Sequence, residues 1–140
     1  MEHEEVVHAH GHENVTAEHE STFEVTTDDY LTPAGDCILA VEADRAPTDF
    51  DPTFMTACQD PDATITAMFE VAGRTEIVTG RGHPDLDFGS ERGAVGRTST
   101  YVDERTIMVE ADKAAADFDR EMVEALEEGA KLTLTLTVEA

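Results

Sequence analysis

Histidines near the start of the chain are the side chains best suited to metal binding. Five of the six histidines lie within the first nineteen residues, and His8, His10 and His12 occupy alternate positions. Alternate residues of a β-strand project from one face about 7 Å apart, and imidazole binds zinc, nickel and copper. The pattern predicts a divalent-metal site on these histidines. The alternative is an exposed acidic strand that happens to be rich in histidine.

Polar residues that recur in both halves of the chain form a second candidate site. Each half has a Gly-His dipeptide and an aspartate that follows an apolar run and precedes a basic residue. Carboxylate, imidazole and a cation are the groups of acid/base catalysis and of metal sites, and a pseudo-two-fold axis would bring both copies to one cleft. The candidate ligand-binding residues are His12, His83, Asp44, Asp112, Lys113 and Arg45, with His12 and His83 also candidate metal ligands.

Each residue of this second set also has a structural interpretation. Asp44 and Asp112 are able to cap turns by bonding to their own backbone, and Gly-His can mark a turn that satisfies the imidazole. Cys37 and Cys58 have no CxxC spacing and are expected to be buried small residues. The sequence contains no phosphate loop, dinucleotide fingerprint, HExxH motif or Gly-x-Ser-x-Gly elbow, which disfavours the common cofactor enzymes.

An internal repeat organises the elements that must position these residues. The run Val41–Ala46 matches Val109–Ala114, and Gly11-His12 matches Gly82-His83 in a slightly longer register. A duplication with a small insertion or deletion between the two blocks explains both matches better than chance does. The repeat covers approximately residues 11–71 and 82–140 of a single domain, 1–140.

Helix and strand signals recur in the same register. Asp51 and Asp119 have the position of helix N-caps, which predicts helices over Pro52–Gln59 and Arg120–Glu128. Three glycines predict a flexible loop at Phe88–Gly96. Apolar and alternating runs predict strands at Val15–Thr26, Cys37–Ala43, Thr64–Val71, Arg74–Gly80, Thr106–Ala111 and Leu132–Val138.

These elements predict a strand-rich α+β fold. Two helices of about nine residues cannot cover a large sheet, so the strands must mostly cover one another. We expect two strand–strand–helix–strand halves, related by a pseudo-two-fold axis, that form one β-sandwich or barrel.

The charge balance indicates a salt-adapted cytoplasmic protein. Asp and Glu number 32 against 9 Lys and Arg, a formal charge of −23, while hydrophobic residues at 40% exclude simple disorder. Molar salt shortens the Debye length to about 3 Å and removes the self-repulsion of an acidic surface, which indicates a halophilic source. No apolar run approaches the roughly 20 residues of a membrane span, and we expect a monomer or small homo-oligomer.

Nucleic acid is not expected as a non-specific partner, because binding phosphates requires basic residues and the chain has no basic run. Specific RNA contact stays open through one local patch of arginines. That patch would contain Arg74, Arg81, Arg92, Arg97 and Arg105.

Several short runs in both halves of the chain together form a specific pattern. They are Gly11–Asn14, His19, Ser21-Thr22, Glu24, Leu31–Ile38, Gly82–Pro84, Arg105-Thr106 and Ala111–Asp117. Through these runs the sequence resembles the archaeal family called domain of unknown function 371 over nearly its whole length. The resemblance implies a compact strand-rich domain with no assigned activity. The sequence departs from the usual family pattern at Glu13, Ala34 and Arg45.

Three functions of different classes fit these features. The leading prediction is a small-ligand-binding domain with its site between the two repeats. The alternatives are a hydrolase or transferase that depends on a divalent metal, and a protein or RNA interaction module that uses the arginines around Phe88–Gly96. Whether the chain is an enzyme stays open.

Overall fold

The computed structural model describes residues 2–140, in which eight strands and two α-helices are present. A short 3-10 turn precedes each helix, at Pro47–Asp49 and Ala115–Asp117. Neither helix of the described residues is long and apolar enough to cross a membrane. The elements are β1 (Glu2–His10), β2 (Thr22–Thr26), β3 (Ile38–Ala40), α1 (Pro52–Cys58), β4 (Thr64–Val71), β5 (Arg74–Arg81), β6 (Gly93–Arg97), β7 (Thr106–Met108), α2 (Arg120–Glu127) and β8 (Lys131–Glu139).

The strands form two four-stranded sheets. The first has the order β1-β8-β4-β5 and is antiparallel throughout. The second has the order β3-β2-β6-β7, with an antiparallel pair in the centre and parallel pairing of β3 and β7 at its edges. The strand-rich α+β prediction is therefore confirmed.

The alternative of a closed barrel is wrong. Only an isolated bridge joins the two sheets at each edge, His10 to Val41 and Arg81 to Val109. The residue after each bridge, Glu42 or Glu110, has a positive φ of 53° or 51°. This left-handed backbone turns the chain away, so neither bridge extends into a ladder.

The most regular strand is β8, which follows its predicted alternation. Its leucines and valine at positions 132 to 138 are buried, while the threonines between them are half-buried. Both neighbours, β1 and β4, pair with it over its length. The inward face joins one hydrophobic core, in which the ring of Phe69 lies 5.4 Å from Phe23 and 5.0 Å from Phe118, centroid to centroid.

The predicted strand count needs two corrections. The strand at Glu2–His10 was considered only for the histidines from His8 onward and was not counted in the predicted fold. The predicted strand at Val15–Thr26 is regular only over Thr22–Thr26. The order from β1 to β4, and again from β5 to β8, is therefore strand–strand–strand–helix–strand rather than strand–strand–helix–strand.

The predicted flexible loop at Phe88–Gly96 is also wrong, because its second part is the buried central strand β6. Its glycines permit close packing. A Cβ on Gly96 would lie 2.1 Å from the ring of Phe23, and a Cβ on Gly93 would lie 2.3 Å from a carboxylate oxygen of Glu24. These glycines are therefore required because side chains of β2 pack closely against the strand, and they do not indicate mobility.

Both helices begin where predicted and end within one residue of the prediction. Asp51 caps α1, since its Oδ1 accepts a hydrogen bond from the Thr53 amide at 2.8 Å. Asp119 does not cap α2 with its side chain, which pairs instead with Arg74 at 3.2 Å. The cap prediction is therefore confirmed for the first helix and wrong for the second.

A buried glutamate on one edge strand and a half-buried glutamate on the other hold the start of each helix. Glu5 on β1 is only 6% exposed, and its carboxylate accepts hydrogen bonds from the Arg45 guanidinium and from the Asp51 amide. Glu76 on β5 accepts from Lys113 Nζ at 2.5 Å and from the Asp119 amide at 2.9 Å. Each carboxylate thus links an edge strand, a cation and a helix N-terminus.

We predict that Glu5→Gln lowers the free energy of unfolding by about 2 kcal/mol, less than for a fully buried ion pair because Arg45 is partly exposed. Glu4→Gln removes the same charge from the exposed face of the same strand and should change little. Urea denaturation at fixed salt measures both. Equal effects of the two variants would contradict a special role for the Glu5 carboxylate.

Candidate functional site

The two predicted histidines each close a local turn. The Nδ1 atom of His12 accepts a hydrogen bond from the Asn14 amide at 3.0 Å, and that of His83 accepts from the Asp85 amide at 3.0 Å. Before His12, the Gly11 amide donates to Ala130 just beyond α2. The amide of His83 donates to Cys58 in α1. The two turns are therefore attached to the ends of different helices.

The two predicted aspartates bind the backbone of the edge strands. Asp44 Oδ1 accepts from the His8 amide at 2.8 Å, and Asp112 Oδ1 accepts from the Thr79 amide at 2.9 Å. The cations that follow them, Arg45 and Lys113, are bound to Glu5 and Glu76. The aspartates thus bond to a neighbouring strand rather than to their own backbone, which was the alternative interpretation of the sequence.

Within residues 2–140, no hydrogen bond or ion pair joins His12 to His83, or Asp44 to Asp112. The structure thus places the predicted set in two separate groups of contacts. A role of these residues in ligand binding stays a prediction.

The histidine ladder is shorter than expected, because β1 ends at His10 and His12 lies in the following turn. His8 and His10 do line one groove of about 540 Å³, together with Glu42 and Lys131. His10 Nε2 lies 3.0 Å from a carboxylate oxygen of Glu42, and its Nδ1 lies 2.8 Å from the Gly11 carbonyl oxygen. No three His, Cys, Asp or Glu residues in the described part of the chain are placed to hold one metal ion.

A more enclosed cavity lies on the outer face of the second sheet, where β2 and β6 pair. Its volume is about 220 Å³. We call it the Glu24 cavity, and its polar lining residues are Glu24, Thr26, Asp28, Ser90, Arg92, Glu104 and Arg105.

Glu24 brings a buried carboxyl group to this cavity. The residue is 8% exposed, and burial, more than any neighbouring charge, raises the pKa of its side chain. Oε1 faces the Cys37 thiol at 3.6 Å and Arg105 at 3.8 Å. Oε2 accepts no hydrogen bond from the described residues, yet no buried side-chain oxygen among them lacks a partner, so Oε2 must open to the cavity. A carboxyl group of this kind keeps its proton to a higher pH than an exposed one does.

Arg105 is the cation of the cavity whose guanidinium N–H donors make no short hydrogen bond to a side chain within the described residues. Its side chain is 46% exposed, and its contacts to Glu24 at 3.8 Å and to Asp103 at 3.6 Å are longer than hydrogen bonds. Arg92, in contrast, donates to both oxygens of Asp28 at 3.0 and 2.9 Å and to the hydroxyl of Tyr30 at 3.2 Å. Arg105 is therefore better placed than Arg92 to bind an incoming anion.

Cys37 contacts Glu24 as a thiol and is not suited to act as a nucleophile. Burial raises its pKa to about 11, and the neighbouring Glu24 carboxylate adds to the effect. A thiolate is therefore scarce at neutral pH. The thiol instead donates a weak hydrogen bond to Glu24. Cys58 is buried as expected, whereas Cys37 is only half-buried.

Sequence analysis missed the pairing of Glu24 with Arg105. Both residues stood in segments that carry the family resemblance, but no short spacing connects them. Of the predicted arginine patch, Arg92 and Arg105 line the cavity, and Arg97 is linked to it because it shares Asp103 with Arg105. The other two arginines of that patch, Arg74 and Arg81, lie on β5 in the first sheet.

Comparison with known proteins decides the family. A family model described as a domain of unknown function (DUF371) matches residues 7–139. The chain belongs to the DUF371 family. This DUF371 domain is also 39% identical over 133 residues to an uncharacterized protein of Methanocaldococcus jannaschii, covering 95% of the chain and 98% of that protein. Neither match names an activity, so the function of this DUF371 domain has to be argued from its geometry.

We predict that Glu24→Gln raises the free energy of unfolding at pH 7. Because burial raises the folded-state pKa, Glu24 favours folding below its unfolded-state pKa, and this contribution is lost as pH rises through the folded-state value. The glutamine side chain of the variant carries no charge, so its contribution to stability does not fall as pH rises to 7. The advantage should disappear in acid, where both folded and unfolded chains are protonated at this site.

Glu20→Gln, at an exposed position, is the control for loss of one negative charge. Chemical denaturation at pH 7 and in acid gives the comparison. A Glu24→Gln variant that is less stable than Glu20→Gln at pH 7 would show that the carboxylate stabilises the fold, contrary to our interpretation.

Proposed function

We propose that the chain is a binding domain for a small anionic ligand that occupies the Glu24 cavity. One observation carries the proposal: a buried carboxyl group with an open oxygen lies beside a guanidinium group that has no short partner. A fold gains nothing from this arrangement by itself, because burying a carboxylate costs free energy unless it is well paired. A ligand would supply the missing partners of both groups.

The roles of the two residues follow from their chemistry. The guanidinium of Arg105 offers parallel N–H donors that match the oxygens of a carboxylate or phosphate. Glu24 accepts a hydrogen bond through Oε2 when ionised and donates one when protonated, so it is able to bind a hydroxyl group or a second ligand oxygen. The absent side chain of Gly93 leaves the space that the Glu24 carboxylate occupies.

The size of the cavity favours a small ligand or one part of a larger one. Pockets for drug-sized molecules have volumes of roughly 300–1,000 Å³. The Glu24 cavity, at about 220 Å³, is smaller. We therefore expect it to bind an anionic group with a few neighbouring atoms.

The position of the cavity agrees with a site between two duplicated halves. The repeated strand order and the matching Glu5–Arg45 and Glu76–Lys113 pairs support a pseudo-two-fold axis between β2 and β6. In the register that aligns the two Gly-His dipeptides, Glu24 corresponds to Val95, which is also its partner across the two strands.

The two halves differ where they meet. In the register that aligns Val41 with Val109, Cys37 of the first half corresponds to Arg105 of the second. An acid and a thiol in one half thus replace a valine and an arginine in the other. Residues that support the fold, such as Glu5 and Glu76, are the same in both halves. The difference between the halves at Glu24 and Arg105 therefore supports a role other than stability.

We predict that inorganic phosphate, used as the probe at constant ionic strength, binds saturably at this cavity. In NMR titrations, the amide signals of Ser90, Gly93 and Arg105 should shift together. Arg105→Gln should weaken binding at least tenfold, because it removes a charge-assisted contact.

Arg81→Gln is the matched control, since Arg81 is exposed and lies on the first sheet with only a 3.6 Å contact to Glu110. It changes net charge equally and should leave phosphate binding unchanged. Titrations without saturable shifts, or equal losses in the two variants, would reject the proposed site.

We further propose that the protein works in a salt-rich cytoplasm. A formal charge of −23 on 140 residues implies strong self-repulsion of the folded chain in dilute buffer. Screening by molar salt reduces the range of that repulsion to about 3 Å.

We therefore predict that the melting temperature rises as KCl increases from 0.1 M to about 2 M, because screening relieves repulsion that is greatest in the compact state. Thermal denaturation followed by circular dichroism measures the effect. A melting temperature that stays constant or falls over this range would contradict salt adaptation.

A further inference from the structure

Two exposed tyrosines occupy matching positions beside the second sheet. Tyr30 is 56% exposed and Tyr101 is 60% exposed. They are the only tyrosines of the chain, which has no tryptophan, and they align with each other in the register of the two Gly-His dipeptides. Each follows a central strand of the second sheet, Tyr30 after β2 and Tyr101 after β6.

Tyr30 does not line the Glu24 cavity but contacts Arg92, which does. Its hydroxyl group accepts a hydrogen bond from Arg92 at 3.2 Å, and the same arginine holds Asp28 on the cavity wall. These contacts fix the position of the phenol oxygen. Within the described residues, no aromatic ring or cation covers the face of the Tyr30 ring.

The ring of Tyr101 is already covered by another side chain of the protein. The Arg97 guanidinium lies over it, 4.8 Å from the ring centroid, and is held there by Asp103 and Thr106. The two matching tyrosines therefore differ in one respect. Only the Tyr30 ring offers an open face beside the cavity.

We infer that the ligand of the Glu24 cavity is a nucleoside monophosphate, with its phosphate on Arg105 and its base stacked on Tyr30. This inference rests on the proposed anion site and assigns the class of ligand. The cavity of about 220 Å³ takes only the phosphate and sugar. The base is then left outside the cavity, on the side of Arg92, which contacts Tyr30. The open oxygen of Glu24 then binds a ribose hydroxyl group, a donor suited to a carboxylate.

The base and the phosphate of this ligand contribute to its affinity through separate contacts. Stacking of a base on an aromatic side chain is tolerant of base identity and contributes roughly tenfold or more to affinity. The phosphate contact to Arg105 contributes independently of the base. A nucleotide should therefore bind more tightly than either the sugar phosphate or the nucleoside alone.

The test compares AMP, ribose 5-phosphate and adenosine by isothermal titration calorimetry on the full chain at fixed KCl. We expect AMP to bind about tenfold more tightly than ribose 5-phosphate, and adenosine to bind more weakly than AMP. Tyr30→Leu should reduce the affinity for AMP to that for ribose 5-phosphate and leave the latter unchanged.

Three variants provide the controls. Tyr30→Phe keeps the ring and should keep the preference for AMP, which separates stacking from loss of the bond to Arg92. Tyr101→Leu changes the matching position, where the ring is already covered, and should leave AMP binding unchanged. Because Tyr101→Leu has Tyr30 as its single tyrosine, quenching of its fluorescence by AMP reports directly on stacking at Tyr30.

The outcomes distinguish this inference from the proposed anion site. Equal affinities for AMP and ribose 5-phosphate, both lost in Arg105→Gln, would overturn the nucleotide and keep the anion site. AMP binding that survives Tyr30→Leu at full affinity would also overturn it. If neither phosphate compound binds, both proposals fail.

Discussion

Two carboxylates connect the edge strands of the first sheet to both helices, and of these Glu5 is buried and Glu76 is half-buried. A charge removed from water must be paired and hydrogen-bonded, and Glu5 and Glu76 each meet this demand with one cation and one backbone amide. The amides belong to Asp51 and Asp119, where the helices begin. The direction in which each helix leaves the sheet is thus set by a polar contact, and the apolar side chains then fill the space between them.

The cost of burying the Glu24 carboxyl group is less well offset by its partners. Its bonding partners within the described residues are a thiol at 3.6 Å and a guanidinium at 3.8 Å, which do little to offset its burial. Glu5 and Glu24 are therefore buried acids with opposite effects. Glu5 stabilises the fold, whereas the burial of the Glu24 carboxylate lowers its stability. In this protein, the quality of the pairing separates structural acids from candidate functional ones better than burial alone does.

The predictability of each element from sequence follows from how local its signal is. β8 was predictable because its leucines and threonines alternate strictly, and α1 because Asp51 and Pro52 mark its start. β1 was considered as a strand only at its histidines and was left out of the predicted sheet, since its many charged and histidine side chains hide the short apolar pattern. β6 was mistaken for a loop because its glycines are required by the side chains of neighbouring β2, which only the tertiary structure shows.

The candidate site was harder to predict for the same reason. Histidines and aspartates beside the repeated motifs attracted attention because they recur, but recurrence selects residues that both halves need for their own turns and edges. Glu24 and Arg105 do not match their counterparts, Val95 and Cys37. A comparison that looked for differences between the repeats, rather than identities, would have found them.

The strand order of the first sheet also constrains how the chain folds during synthesis. β8 is synthesised after the other seven described strands, yet it lies between β1 and β4 and pairs with both. The first sheet is therefore incomplete until synthesis has passed Glu139. Until then, β1 and β4 expose unpaired inner edges of the kind that promote association between chains.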